Sequence, residues 1–151
     1  MNLKSSFLFL LFLAISSCSK EAIEKETDFT VLEKQKVLWE SKQISSYSFV
    51  QTISCYCITD YTSPKAVVVL DDQIISVNQV PYDSEIHQSI LTVNDRFKYI
   101  RGGLNQNPAS YTVLFDETYG FPKQFYFDYD LQIADEEIGY TFTGFVPQTI
   151  E

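Results

Sequence analysis

The sequence predicts a single α+β domain: one antiparallel sheet of about five to six strands with two helices packed on one face. The expected order is helix, two or three strands, helix, three strands. Three observations carry this. Apolar residues recur at helical spacing in two places, around Val31–Trp39 and Val93–Ile100. Alternating β-branched and aromatic runs fill much of the rest. The runs are joined by short links, and consecutive hairpins make an antiparallel sheet whose helices share one side.

Each element has its own signal. Thr30-Val31-Leu32-Glu33 reads as a capping box, with Thr30 as N-cap and Glu33 at the third helical position. Leu32 and Trp39, with their neighbours Val31 and Leu38, recur at seven-residue spacing, and Lys34, Lys36, Glu40 and Lys42 fill the opposite face. Tyr47 to Cys55 is strand-like, with Tyr47, Phe49, Gln51, Ile53 and Cys55 on one face. Ala66–Leu70 and Gln73–Val77 flank Asp71-Asp72, a two-residue hairpin link, although Asp-Asp is a poorer primed-turn pair than Asp-Gly. The unbroken run Val67–Leu70 predicts a central strand. Residues 80–91 read as a loop. Thr92 caps a second helix in which Val93, Phe97 and Ile100 stack, with Gly102 or Gly103 as its stop. Tyr111–Phe115, Gln124–Tyr129 and Ile138–Thr143 are the last three strands. The first two of these are joined by Asp116–Pro122, whose Gly120 suits positive φ. Trp39, Phe97, Phe115, Phe125, Phe127, Tyr140 and Phe142 are the expected shared core.

Ahead of the domain, Lys4 precedes the apolar run Phe7–Ile15, which is followed by Ser16, Ser17 and Cys18. This is a basic n-region, a short h-region and a small-residue processing point. The run falls well short of the ~20 residues that span a bilayer. Ile15-Ser16-Ser17-Cys18 resembles the bacterial lipobox, in which the cysteine becomes the lipidated first residue. The expected organisation is a signal peptide over 1–17, a tether over 18–28, the domain over 29–147 and a tail over 148–151. Ser19, standing where an inner-membrane retention Asp would sit, favours the outer membrane of a Gram-negative cell.

The charge narrows the partners. The chain carries 11 basic and 20 acidic residues, and loss of 1–17 removes one basic residue, Lys4, taking the net charge from −9 to −10. An acidic chain with one histidine and no basic cluster is repelled by phosphate backbones, so no nucleic-acid partner is expected. Anionic headgroups repel it too, so membrane attachment rests on acyl chains at Cys18. With 12 Phe, 10 Tyr and 1 Trp, the chain has ample material for an aromatic core.

Candidate chemistry is sparse. Cys55-Tyr56-Cys57 reads as a disulfide formed in an oxidising compartment, as a pair of unbridged thiols, or as a redox or metal pair. Residues i and i+2 of a strand lie ~6.6–6.8 Å apart, the upper limit for a bridge at ~4.4–6.8 Å, so a disulfide needs a local bend. A metal site needs three or four ligands, and His87 is thirty residues from Cys57 in a polar loop, where it is expected to be solvated. Asp128, Asp130 and Asp135, with Glu136 and Glu137, are the densest acidic cluster and a weak Ca²⁺ candidate. An EF-hand loop from Asp128 fails at Ile133 and Gly139, and a solvated loop is the plainer reading. There is no nucleophile elbow, no Ser/His/Asp order and no phosphate-cradling glycine loop. No cofactor is expected.

In order along the chain come Trp39, Tyr47-x-Phe49, Cys55-x-Cys57, Val67-Val68-Val69, Thr92 and Phe97. Phe115-Asp116, Tyr119-Gly120-Phe121-Pro122, Asp128 and Asp135-Glu136-Glu137 follow. This series resembles a family of uncharacterised bacterial lipoproteins classed as a domain of unknown function, over roughly residues 37–145. The chain departs from that pattern at Asp71-Asp72, where the family has Asp-Gly or Asn-Gly. The resemblance carries no activity. The expected function is binding or scaffolding at the cell envelope without turnover, with an envelope protein or small ligand as partner. The alternatives are an enzyme or thiol-redox protein centred on Cys55 and Cys57, and a Ca²⁺-stabilised module.

Overall fold

Alternation of large apolar residues with small polar ones along Tyr47–Ser54 (β1) makes this strand the middle of the sheet, with Tyr47, Phe49, Gln51 and Ile53 buried on one side. The computed structural model describes residues 18–148; the stretch expected as a signal peptide, 1–17, and residues 149–151 of the expected tail lie outside the described residues. The elements are α1 (Cys18–Ser41), β1, α2 (Thr59–Thr62), β2 (Lys65–Leu70), β3 (Gln73–Val77), β4 (Val80–Pro81), α3 (Val93–Asn105), β5 (Ser110–Phe115), β6 (Pro122–Asp128) and β7 (Ile138–Pro147). All pairings are antiparallel, in the order β4-β3-β2-β1-β7-β6-β5. The sheet therefore has seven strands rather than five or six. The strand missed in the sequence is β4, whose two residues are too short for any period to register.

Helices α1 and α3 pack together on the sheet face that holds the aromatic core. Trp39, Phe97, Phe125, Phe127, Tyr140 and Phe142 are all buried there, and Phe115 packs against them. The Trp39 ring makes edge contacts with Tyr47, Phe121 and Phe145, and its Nε1–H donates to Asn94 Oδ1 at 3.0 Å, joining α1 to the start of α3. Thr92 caps α3 by accepting from the Asp95 N–H. The Tyr47 hydroxyl accepts from the Val93 N–H at 2.9 Å, so a central strand caps the same helix end.

Several local expectations change. The helix expected to begin at Thr30 runs unbroken from Cys18, so Thr30 and Glu33 lie inside α1 and the stretch expected as a tether, 18–28, is helical. It ends at Ser41 and is followed by Gln43 in the left-handed region at φ 53°. A third helix, α2, is a single turn after the cysteines. The run Val67–Leu70 is not covered on both sides: Val67 and Val69 are buried, while Leu70 is exposed. The centre of the sheet belongs to β1 and β7. Asp71 and Asp72 both take positive φ, 48° and 61°, as a primed two-residue hairpin requires, and Asn78 and Gln79 do the same between β3 and β4. That second hairpin was hidden inside the segment read as a loop.

Gly102 and Gly103 do not stop the second helix; they sit within α3, which continues to Asn105 and is followed by Asn107 at φ 54°. Gly103 serves close packing instead. A Cβ placed there would lie 2.7 Å from the Phe127 ring, whereas one on Gly102 would meet nothing within 4 Å. Gly102→Ala is therefore expected to stabilise the protein by about 0.5–1 kcal/mol through helix propensity. Gly103→Ala is expected to destabilise it by about 1–3 kcal/mol through overpacking. Thermal or denaturant unfolding of the two variants checks the pair, and equal shifts would contradict the packing of α3 on β6.

Candidate functional site

Gln51 occupies an inward position of β1 where an apolar residue would be expected, and Arg96 lies on the apolar stripe of α3 between Val93 and Ile100. Both are fully buried, at 0 % exposure. Arg96 Nη2 donates to Gln51 Oε1, and Arg96 Nε donates to the Leu91 carbonyl at 3.4 Å. Gln51 Nε2 donates in turn to the Ser89 carbonyl at 3.1 Å. The Arg96 guanidinium carbon stands 3.6 Å from the centre of the Phe142 ring and 5.0 Å from that of Tyr140. Burial lowers its pKa to about 9, which leaves it a cation at neutral pH. Burial also raises the Tyr47 and Tyr140 phenols, so neither supplies an anion there. Nη1 has no hydrogen-bond partner among the described residues.

This is a buried cation held by rings, an amide and a carbonyl. A cation over an aromatic face, shielded from water, gains about 2 kcal/mol, and its bond to Gln51 is charge-assisted. The cluster also ties the segment before α3 to the sheet, because Ser89 and Leu91 are both anchored by it. Sequence reading placed Gln51 on the inward face without giving it a role, and it missed Arg96. The available signal was the coincidence of one polar residue on each of two buried faces.

The other sequence candidates separate. Cys18 is the first residue of α1. Cys55 and Cys57 are bridged, with Cα atoms 5.3 Å apart. The chain bends there, since the Cys57 N–H donates to the Cys55 carbonyl at 2.9 Å just after β1 ends. Tyr56 between them is 80 % exposed. His87 is half-buried rather than freely solvated: its Nδ1 accepts from the Asp83 N–H at 3.2 Å, and its ring stacks on Tyr82. Among the described residues no three His, Cys, Asp or Glu side chains come together to hold a metal ion, those of Asp128, Asp130 and Asp135 included. Asp130 and the neighbouring Glu136 are spent on loop structure, whereas Asp128 Oδ1 is buried without a hydrogen-bond partner among the described residues. Asp130 Oδ1 accepts from the Gln132 N–H, and Glu136 Oε1 accepts from the N–H groups of Tyr129 and Asp130.

Two surface features remain. A cavity of about 260 Å³ opens between α1, α3 and β5, lined by Leu32, Ile100, Leu104, Val113 and Phe115, with the Tyr111 hydroxyl donating to Asp28 beside it. Among the described residues α1 and α3 both pack on the core side and leave the far side of the sheet without them. There β1 presents Ser48, Val50, Thr52 and Ser54, opposite Ala66 and Val68 of β2 and opposite Gly139, Thr141, Thr143 and Val146 of β7. The surface continues through Gln124 and Tyr126 of β6 to Thr112 and Leu114 of β5. These positions are all uncharged in a chain of net charge −9. Charges stand at the margins, with Asp128 at the end of β6 and the exposed Lys123 where the β5–β6 register shifts.

The fold and surface define an α+β domain with one sheet face clad by helices and the other open and neutral. The chain belongs to a family of unknown function, DUF6174, whose model matches residues 31–147. No curated protein and no solved structure matches it. Among the described residues no helix is long and apolar enough to cross a membrane.

Gln51→Leu is expected to cost about 3 kcal/mol, because it strips a buried cation of its acceptor. In an Arg96→Met background the same change is expected to cost less than about 1 kcal/mol. A double-mutant cycle by chemical denaturation measures the difference, and purely additive effects would contradict the pairing.

Proposed function

We propose that this protein is a lipid-anchored domain of the cell envelope that acts by binding through its open sheet face, without turnover. The observation that carries the reading is the neutral surface centred on β1 and β7 in an otherwise strongly acidic chain. A broad uncharged sheet face avoids the large cost of burying ions when covered, because none of its side chains is charged.

Attachment through Cys18 is supported by the Ile15-Ser16-Ser17-Cys18 junction behind a short apolar run. Asp28 of α1 meets Tyr111 at the start of β5, while Trp39 lies beside Asn94 at the start of α3. The anchored end of α1 is therefore at the sheet pole that also carries the Cys55–Cys57 turn. The ten residues from Cys18 to Asp28 add about 15 Å of helix at 1.5 Å per residue. They hold the domain off the membrane and leave the open face accessible. Ser19 favours the outer membrane as the address.

Cys18→Ser is expected to leave unprocessed precursor and abolish acyl labelling. Normal processing and membrane attachment of that variant would overturn the anchor. Binding is read by pull-down with the tethered full-length protein. Recovery of its partner is expected to fall at least roughly tenfold in Val68→Asp, equivalent to about 1.4 kcal/mol, with an unchanged melting temperature.

A thiol-redox role is the second reading, favoured by the bridge standing beside exposed Tyr56. A thiol–disulfide exchange assay distinguishes it. No turnover is expected, and turnover lost in Cys57→Ser would place the protein among the redox enzymes.

A further inference from the structure

We propose that the occupant of the open sheet face is a second copy of this chain, packed face to face about a two-fold axis. This deepens the binding reading and rests on it. The first argument is charge. Two copies of net charge −9 repel wherever their acidic surfaces meet, and the neutral centre of the sheet is a face on which they can approach closely. The second is shape. Ser, Thr, Ala, Val and Gly dominate that centre along β1, β2 and β7, and short side chains suit sheet-on-sheet packing at about 10 Å.

The third argument is area. Each outward residue of a sheet covers ~32 Å², from ~6.7 Å along the strand and ~4.8 Å between strands, so the fourteen uncharged positions span roughly 450 Å². Two such faces together reach about 900 Å², just short of the ~1,000 Å² of a specific interface. Anchoring in one membrane supplies the rest, because it raises the effective concentration of one copy around another. A two-fold axis along the strands leaves both Cys18 ends at the same pole, so both copies reach one bilayer. A surface that pairs with its own image is what a two-fold interface requires.

The test uses the full-length chain in its membrane. Photo-cross-linking p-benzoylphenylalanine is placed at Gln124 or Ala66 on the open face, and at Lys36 on α1 as a control. Two differently tagged copies are expressed together. The expected result is an adduct containing both tags from Gln124 and Ala66 and none from Lys36. Thr141→Arg, at the centre of the face, should reduce that adduct at least roughly tenfold with an unchanged melting temperature; Thr52→Arg serves if Thr141→Arg does not fold.

For the purified protein, raising salt is expected to increase the dimer fraction, because screening shortens the reach of like-charge repulsion from about 10 Å at 0.1 M to about 3 Å at 1 M. An adduct with a different protein would overturn the second copy and leave the binding reading standing. No adduct from either open-face position would overturn both. Self-adducts of equal yield from Lys36, an adduct untouched by both arginine variants, or a dimer fraction that falls with salt would each overturn the dimer.

Discussion

The structure turns on a guanidinium buried among aromatic rings. Arg96 reaches from α3 to Gln51 on the central strand, lies against Phe142 and Tyr140, and holds the Leu91 carbonyl of the segment leading into its own helix. An ionised group taken out of water is costly unless its hydrogen-bonding capacity is used. Rings, one amide oxygen and one carbonyl offset much of that cost here, and they do so in one geometry. A purely aliphatic contact between α3 and the sheet would tolerate sliding. A guanidinium that must keep its acceptor tolerates little, so the rotation and register of α3 follow from the position of Gln51.

Other contacts build outward from that constraint. With α3 in place, its first N–H meets the Tyr47 hydroxyl and Asn94 meets Trp39, which brings α1 onto the same face. Gly103 lets the far end of α3 approach the Phe127 ring. Most of the large aromatic volume is thereby drawn to one side of the sheet, Tyr126 being an exception on the other. The opposite side is left mainly with Ser, Thr, Val and Ala, beside Gln124, Tyr126 and Leu114, and its neutral character is the other half of the same segregation. The helical face accounts for stability, and the open face is the surface from which we infer function.

The sequence made the architecture legible where side-chain periods were long and strong. β1, β5, β6 and β7 are marked by aromatic alternation, and α3 by Thr92 with Val93, Phe97 and Ile100. It misled where one residue type has two uses. Gly103 reads as a helix stop by its backbone freedom, yet its missing Cβ serves contact with Phe127 across the core. Thr30 and Glu33 have the composition of a cap, but nothing local interrupts the helix before them. Val67–Leu70 has no polar alternation, and the structure still exposes one side of it, because an apolar run does not show whether a second layer exists. Of the site, the Cys55 and Cys57 side chains were visible, but the sequence left a bridge, free thiols and a redox or metal pair open. Their strand spacing sits at the limit for a disulfide, and the closing bend is not written in the sequence. The Arg96–Gln51 pair was not visible, because 45 residues separate its members and each looks like a lone polar exception on an apolar face.

The most direct measurement is nuclear magnetic resonance of the Arg96 side chain in the full-length protein, assigned by its loss in Arg96→Met. The account predicts a guanidinium whose Nη protons are resolved and slow to exchange with solvent. Their shifts should be moved by the Phe142 ring, and the group should stay charged at neutral pH. A single averaged signal at the shift and exchange rate of an exposed arginine would contradict it, because a mobile, solvated Arg96 cannot hold α3 against the central strand.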